Sequence, residues 1–452
     1  MWEKEISQVE ETFIQELQAL LRINTEYDER SSSEQHPFGR NIADGLDYIR
    51  QKALQDGFEV LEYDERAIAI TYGSQPSRIE AVSHLDVVPA GDNWSYPPYG
   101  ATIVNDMLYG RGTQDMKTQL WLTYTALRMI RSSRIPLKRQ LRVVVGTDEE
   151  RTMQDMIYYL DRAGLPDFAF TPDGRFPLCL GEKGVLVWYL DQVVDTKVLS
   201  FHAGKTSNVI CDFAVFTVPL GEIHKLQSIL RQGAYAYELE IDSKITVHIL
   251  GKAAHTSSPH LGDNAIMKAL QVIALLFQEA WAVQLVEVLK DPYGSGFGLH
   301  KDYPPMGFTS VEFNILNIQD SKLHGEIDVR FPTPLTSSEL TQAIQTALIL
   351  FDVFPVYEEP IISTDITNPF VQILLDNYRK HFPADQSEPY ISGGVTYSKV
   401  YHGRCVSYGS RLPFEQLPEL AHQTDEHISL HYINDLCKLY ASAFVALANC
   451  EE

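Results

Sequence analysis

Cysteine is scarce in this chain, with five in 452 residues: Cys179, Cys211, Cys405, Cys437 and Cys450. The number is odd, the positions are scattered and no Cys-x-x-Cys pair occurs. That argues against a disulfide framework or a thiolate zinc site and for a reducing compartment. Basic residues are also in short supply. Lys and Arg number 37 against 60 Asp and Glu, a formal net charge of −23. Such a field opposes binding to a phosphate backbone, so no nucleic-acid partner is expected. Long apolar runs are missing as well. The richest stretch, Ala265 to Leu289, is interrupted by Lys268, Gln271, Gln278 and Glu279. It reads as a core-facing helix, too polar to span a membrane. The opening Met-Trp-Glu-Lys-Glu leads into an amphipathic helix rather than a signal peptide, and the cytoplasm is the expected location. There is no internal repeat, low-complexity tract or long linker.

A hydrophobic content of 44% and a charged content of 21% fit a soluble globular protein. The length exceeds one ordinary core, so two or more domains are expected.

The stretch Leu141 to Arg151 organises the rest. Its β-branched run predicts a buried strand that ends in three consecutive acids, Asp148, Glu149 and Glu150. Acids stacked there repel one another unless water or a positive charge sits among them. In open α/β sheets, ligands bind just outside the carboxyl ends of strands. A solvated turn explains this segment, taken alone, equally well. A second predicted strand, Ile79 to Ser83, feeds His84-Leu85-Asp86. Histidine and aspartate two apart at a strand end point the same way. A metal-bound imidazole usually donates its other N–H to a carboxylate, although a capped loop with a hydrogen-bonded histidine is the simpler alternative.

Gly110-Arg111-Gly112-Thr113-Gln114-Asp115 follows a short strand and enters a helix predicted from about Gln114 to Ile130. An acid such as Asp115 is favoured at a helix start by the dipole. The Gly-x-Gly lacks a third glycine and any P-loop Lys-Ser/Thr, so it carries little weight for nucleotide binding. The run from Asp167 reads as a short strand ending at Asp173. His84, Asp115, Glu149, Glu150 and Asp173 therefore fall at one edge of one presumed parallel sheet. Each has an ordinary explanation, but their joint occurrence is harder to explain that way. Imidazole and carboxylate without thiolate suit Zn²⁺, Mn²⁺ or Co²⁺ in a hydrolytic site.

From Val185 to about Glu359 the pattern changes to strand-like runs with helices between them, which predicts a separate α+β domain. The helices expected there are Glu222 to Gln232, Asp263 to Ala282 and Ser337 to Leu350. This stretch holds His255 in a small-residue loop, ordinary on its own. A helix from Asn368 to His381 resumes the first pattern. Ala421-His422-Gln423 offers one more imidazole ahead of a terminal helix, Ile428 to Ala448.

Taken together, these segments resemble the M20 family of metallopeptidases, most closely its PepV-like dipeptidases. The resemblance is carried by Ser83-His84-Leu85-Asp86-Val87-Val88-Pro89, by Gly110-Arg111-Gly112 through Asp115 and Lys117, and by Gly146-Thr147-Asp148-Glu149-Glu150. It continues in Pro172-Asp173 with Phe176-Pro177 and Gly181-Glu182-Lys183-Gly184, in Gly251-Lys252-Ala253-Ala254-His255, and in Ala421-His422-Gln423. The resemblance implies an α/β fold: a catalytic domain with a mixed, mostly parallel sheet (zinc-exopeptidase-like) and an inserted α+β lid domain. The implied boundaries are 1–184 and 360–452 for the catalytic domain and 185–359 for the lid. It implies two divalent metal ions, with Zn²⁺ the first expectation and Mn²⁺ or Co²⁺ the alternatives. His84 and Asp173 would bind one ion, Glu150 and His422 the other, with Asp115 bridging. Glu149 would be the general base, Asp86 the partner of His84, and His255 the lid residue that stabilises the oxyanion. Asn208 and Arg330 would hold the substrate's C-terminal carboxylate.

The chemistry is consistent with these roles. Two metals about 3.5–4 Å apart need a shared carboxylate, and a free acid beside the activated water can take its proton. Two departures stand out. Asp115-Met116-Lys117-Thr118 replaces the usual Asp-Asp-Lys-Gly, and Gly393-Gly394-Val395-Thr396-Tyr397 replaces Gly-Gly-Gly-Thr-Tyr. The expected activity is hydrolysis of short unmodified peptides. The alternatives are an amidohydrolase acting on N-acyl amino acids and a catalytically silent relative. The lid is long for an α+β unit of roughly 100 residues. The resemblance therefore favours a monomer, with a lid-mediated homodimer as the alternative.

Overall fold

The computed structural model describes residues 2–233, 235–409 and 411–451. The chain divides into two compact units. The first comprises Met1–Gly181, Ile362–Tyr390 and Val395–Glu452; the second comprises Glu182–Ile361 and Ile391–Gly394.

The first unit is built on a mixed sheet. Arg78–His84 lies at its centre, parallel to Gln140–Gly146 on one side and to Phe168–Thr171 on the other. Cys405–Ser407 continues the parallel set beyond Phe168–Thr171. The margins are antiparallel. Ala67–Tyr72 pairs with Gln140–Gly146, Glu59–Tyr63 pairs with Ala67–Tyr72, and Cys179 pairs with Ser407. The sheet is thus parallel at its heart and not mostly parallel throughout.

Alternate side chains enter two different cores. Ile68, Ile70, Ile79, Val143, Val145, Phe168 and Phe170 face one side, while Ala67, Ala69, Val82, Val144 and Ala169 face the other. Burial on both faces is why these strands read as unbroken apolar runs. The first core is filled by Lys117–Ser133, which is buried from Lys117 through Leu127 and packs against Glu3–Leu21 and Ile433–Asn449. Pro369–His381 begins with proline at its first turn, and the Asn368 side chain accepts from Phe370 N, which sets the helix start. The second core is closed by Gln154–Ala163 and the 3₁₀ turn Tyr397–Tyr401.

The second unit holds an eight-stranded sheet whose pairings are antiparallel. Ile223–Gln232, Ala265–Phe277, Ala280–Leu289 and Ser337–Ala347 contribute to its separate core. Asn264 caps Ala265–Phe277, and Thr336 with Glu339 forms a capping box.

Two expected helices are corrected. The Asp263 to Ala282 run is two helices, because Gln278 adopts a left-handed conformation (φ 56°) and ends the first. The polar pair Gln278-Glu279 falls at that break, but the apolar residues on both sides let the helical pattern read through it. The terminal helix starts at Ile433, because His427–Ser429 is instead a strand paired with Met107–Tyr109. Among the described residues no helix is long and apolar enough to cross a membrane.

Candidate active site

Parallel strands end their side chains at one edge, and the first unit collects its chemistry there. His84 is the last residue of its strand and is fully buried. Its Nδ1 lies 2.9 Å from the main-chain oxygen of Asp86. A carbonyl oxygen only accepts, so Nδ1 carries the hydrogen and Nε2 faces the acids. Nε2 sits 2.9 Å from Asp115 Oδ1 and 3.9 Å from Glu149 Oε2. The other oxygen of Asp115 lies 3.1 Å from His422 Nε2, and the same nitrogen lies 3.1 Å from Glu150 Oε2. Asp115 therefore presents one oxygen to each histidine. Asp173, two residues beyond Phe168–Thr171, groups with His84 and Glu149, their donor atoms lying within 4.8 Å of one another. His84, Asp115 and Glu150 form a second such group.

Asp86 does more than face His84. Its Oδ1 accepts from Glu149 N at 3.2 Å and its Oδ2 from Glu150 N at 3.0 Å. His84 Nδ1 is 3.5 Å from Asp86 Oδ1, farther than from the main-chain oxygen. Asp86 thus ties the acidic turn to the neighbouring strand end. Asp155 holds the same turn from the other side, accepting from Thr147 N and Asp148 N at 2.5 and 3.1 Å and from the Tyr397 hydroxyl.

The electrostatics follow from this crowding. Burial opposes charge on His84 and His422. The facing carboxylates nevertheless raise both, Asp115 foremost for His84 and Glu150 for His422. Burial alone would raise Asp115, but the two imidazoles hold it well below the usual carboxylate range. Burial pushes Glu149 and Glu150 up; His84 works against the rise in Glu149, and Asp173 and Asp115 add to it.

The donor set fits two divalent ions. It is imidazole and carboxylate only, and four carboxylates face two imidazoles. Glu150 Oε1 is buried without a hydrogen-bond partner, as a ligand atom awaiting a cation would be.

Met116 and Val395 bring apolar side chains into the two departing segments, and Thr118 brings a buried hydroxyl. Met116 is buried, with its sulfur 3.4 Å from the main-chain nitrogen of His84, so a thioether accepts a backbone N–H there. Val395 packs against the core that holds Met156 and Tyr159.

In the second unit, Asn208 and His255 lie on adjacent strand-like segments. Val209 pairs with His255 in an antiparallel bridge, and Thr256 N donates to Asn208 O at 3.0 Å. Buried Asn314, at the bulge in Ser310–Gln319, donates to Ser207 O and to Thr256 Oγ1, at 2.5 and 2.9 Å. It clamps the two segments together. Ser257 N donates to His255 Nδ1, which leaves Nε2 of the neutral ring as an N–H donor. Arg330 is buried and its fork is already engaged. Nε and Nη2 bind the two oxygens of Asp328 at 2.7 and 2.8 Å, and Nη1 donates to Gly393 O at 3.0 Å. Gly393 in turn packs so closely on Ser257 that a side chain would collide with it. Gly393 thus links Arg330 to the segment bearing His255.

Sequence patterns did not reveal Asp155, Asn314 or Asp328. Asp328 carries a weak signal, an acid two residues from an arginine on one strand face, which side-chain alternation brings together.

The sequence model of Peptidase family M20/M25/M40 matches residues 82–446. A protein of Staphylococcus haemolyticus (strain JCSC1435), named as a candidate dipeptidase, is 28% identical over 470 residues, covering 99% of each chain. Human carnosine dipeptidase 1 has a similar fold, with a TM-score of 0.61 at 16% identity over the whole of both chains. A dipeptidase of Saccharomyces cerevisiae also has a TM-score of 0.61, at 12% identity, covering 99% of this chain and 98% of that one.

Proposed function

This chain belongs to peptidase family M20/M25/M40, and on that premise we propose that it is a two-metal dipeptidase acting on short unmodified peptides. The observation that supports this most is Asp115, whose two oxygens each face a different histidine. A carboxylate so placed is suited to bridge two ions. His84 and Asp173 would hold one, His422 and Glu150 the other. A pair of divalent ions supplies Lewis acidity and makes water a nucleophile near neutral pH.

The remaining work belongs to the chain's own groups. Glu149 lies in the cluster and is not needed by either ligand set. It takes the proton of the attacking water and passes it to the leaving amine. Asp86 fixes Glu149 and Glu150 through their amides and keeps His84 oriented. From the second unit, His255 is assigned to the developing oxyanion through its Nε2–H. Asn208 and Arg330 are assigned to the C-terminal carboxylate of the substrate. With Asp328 on its bidentate edge, Arg330 has only its remaining N–H groups to offer, so Asn208 shares the task.

The dipeptidase names of the relatives support an unmodified dipeptide over an N-acyl amino acid. The test is a panel of dipeptides run beside N-acetyl and N-succinyl amino acids, with Zn²⁺, Mn²⁺ or Co²⁺ added to metal-free protein. Dipeptides should be the better substrates by at least tenfold in kcat/KM. Faster release from the acylated amino acids would make the protein a deacylase. No turnover, with no metal uptake, would make it a silent relative.

A further inference from the structure

Two segments about 300 residues apart in sequence fasten onto each other beside the proposed metal ligands. One runs from Gly110 to Asp115, the other from Pro418 to His427. Glu426 reaches from the second into the first and is fully buried. Its Oε2 accepts from Arg111 Nη1 at 2.6 Å and Gly112 N at 3.2 Å. Its Oε1 accepts from Gln114 N at 2.6 Å and Asp115 N at 3.2 Å. Gln114 reaches back in the opposite direction. Its Oε1 accepts from Leu420 N at 2.9 Å, and its Nε2 donates to Pro418 O at 3.1 Å and His427 O at 2.8 Å.

Neither segment has regular structure where it matters. Gly112 lies at φ 85° and His422 at φ 64°. Backbone amides there have no ladder partner, and a buried N–H needs an acceptor. One carboxylate supplies that acceptor for three amides of the first segment, with its charge balanced by Arg111. One carboxamide supplies both acceptor and donors for the second. Between these anchors stand Asp115 and His422, whose Oδ2 and Nε2 lie 3.1 Å apart.

We propose that Glu426 and Gln114 form a reciprocal lock that positions Asp115 and His422 for the two ions. The proposal rests on the two-metal reading. Both are positioning residues; neither is among the assigned ligands or substrate contacts. Because Asp115 is assigned to both ions, loosening its segment weakens metal binding before it disturbs the distant cores.

Two variants test the lock. Glu426→Gln keeps the size but turns an N–H₂ toward donors, and Gln114→Ala removes the return arm. Each is stripped of metal and titrated with Mn²⁺ by calorimetry. Ion content after dialysis and melting of the metal-free protein are read in parallel. Wild type should take two ions. Each variant should lose affinity for at least one ion by about 10–100-fold, the usual effect of removing a group that orients ligands. The metal-free melting temperature of Gln114→Ala should stay near that of wild type, and excess Mn²⁺ should restore part of its turnover. Wild-type affinity for both ions in both variants overturns the proposal. So does a lowered metal-free melting temperature with unchanged affinities, which would be a purely structural role. A wild type that takes up fewer than two ions overturns the two-metal reading, and the lock with it.

Discussion

At the scale of single residues, the proposed function divides two tasks between the adjacent acids Glu149 and Glu150. Glu150 meets His422 directly, whereas Glu149 sits 3.9 Å from His84 and is the acid we assign to proton transfer. Glu149→Gln should abolish measurable turnover while metal content, read by mass spectrometry, stays at the wild-type level. Loss of metal as well would mean that the two roles are exchanged. On the proposed reading His255→Ala would remove an oxyanion donor, a contact worth about 10²–10³ in kcat in other enzymes. Steady-state kinetics should show kcat falling far more than KM rises; an effect confined to KM would move His255 to substrate binding. Glu312, in the second unit, offers a pH test that involves none of the proposed metal ligands. Burial, with Asp328 nearby, pushes its carboxyl up to about 7 from 4.5, against the hydrogen bond from Asn264. A raised folded pKa means the native state binds more protons across that window. Its stabilising contribution is therefore complete below about pH 4.5 and lost as pH rises through about 7. Glu312→Gln, which keeps the Asn264 bond, should flatten that part of the stability curve and be more stable than wild type at pH 8 in urea unfolding. An unchanged slope would exclude Glu312 as its source.

At the scale of elements, the strand ends were legible and the connections between distant loops were not. His84, Glu149 and Asp173 follow short apolar runs, and a run that ends in chemistry at a parallel sheet's edge can be read from residue order alone. The packing around Gly146 could not. A side chain there would strike the Tyr397 hydroxyl and the Asp155 carboxylate that steadies the acidic turn. Gly146→Ala should therefore destabilise the first unit by about 1–3 kcal/mol, as overpacking does, and reduce activity through the turn. Denaturant titration checks the first effect. A variant as stable and active as wild type would show that Asp155 and Tyr397 yield without cost. The helix break at Gln278 and the strand His427–Ser429 were missed for a related reason. Apolar composition marks burial, not the local backbone conformation that ends or replaces a helix.

At the scale of the whole molecule, four carboxylates share the cluster with two imidazoles, and the net charge of −23 adds to the repulsion. Divalent ions should relieve it. Chelation should lower the melting temperature, and restoring Zn²⁺ or Mn²⁺ at about 100 times its Kd should return about 2.7 kcal/mol. Calorimetry with and without a chelator checks this, and a melting curve indifferent to metal would count against the centre. The order of residues by itself determined the family, the donor chemistry and the strand ends that bear it, since these depend on residue type and near spacing. Only tertiary structure decided which oxygen of Asp115 faces which histidine, that Asp328 already occupies the fork of Arg330, and that Gln114 and Glu426 bind each other's segments. Those facts depend on directional contacts between residues far apart in the chain, and no local pattern encodes a direction in space.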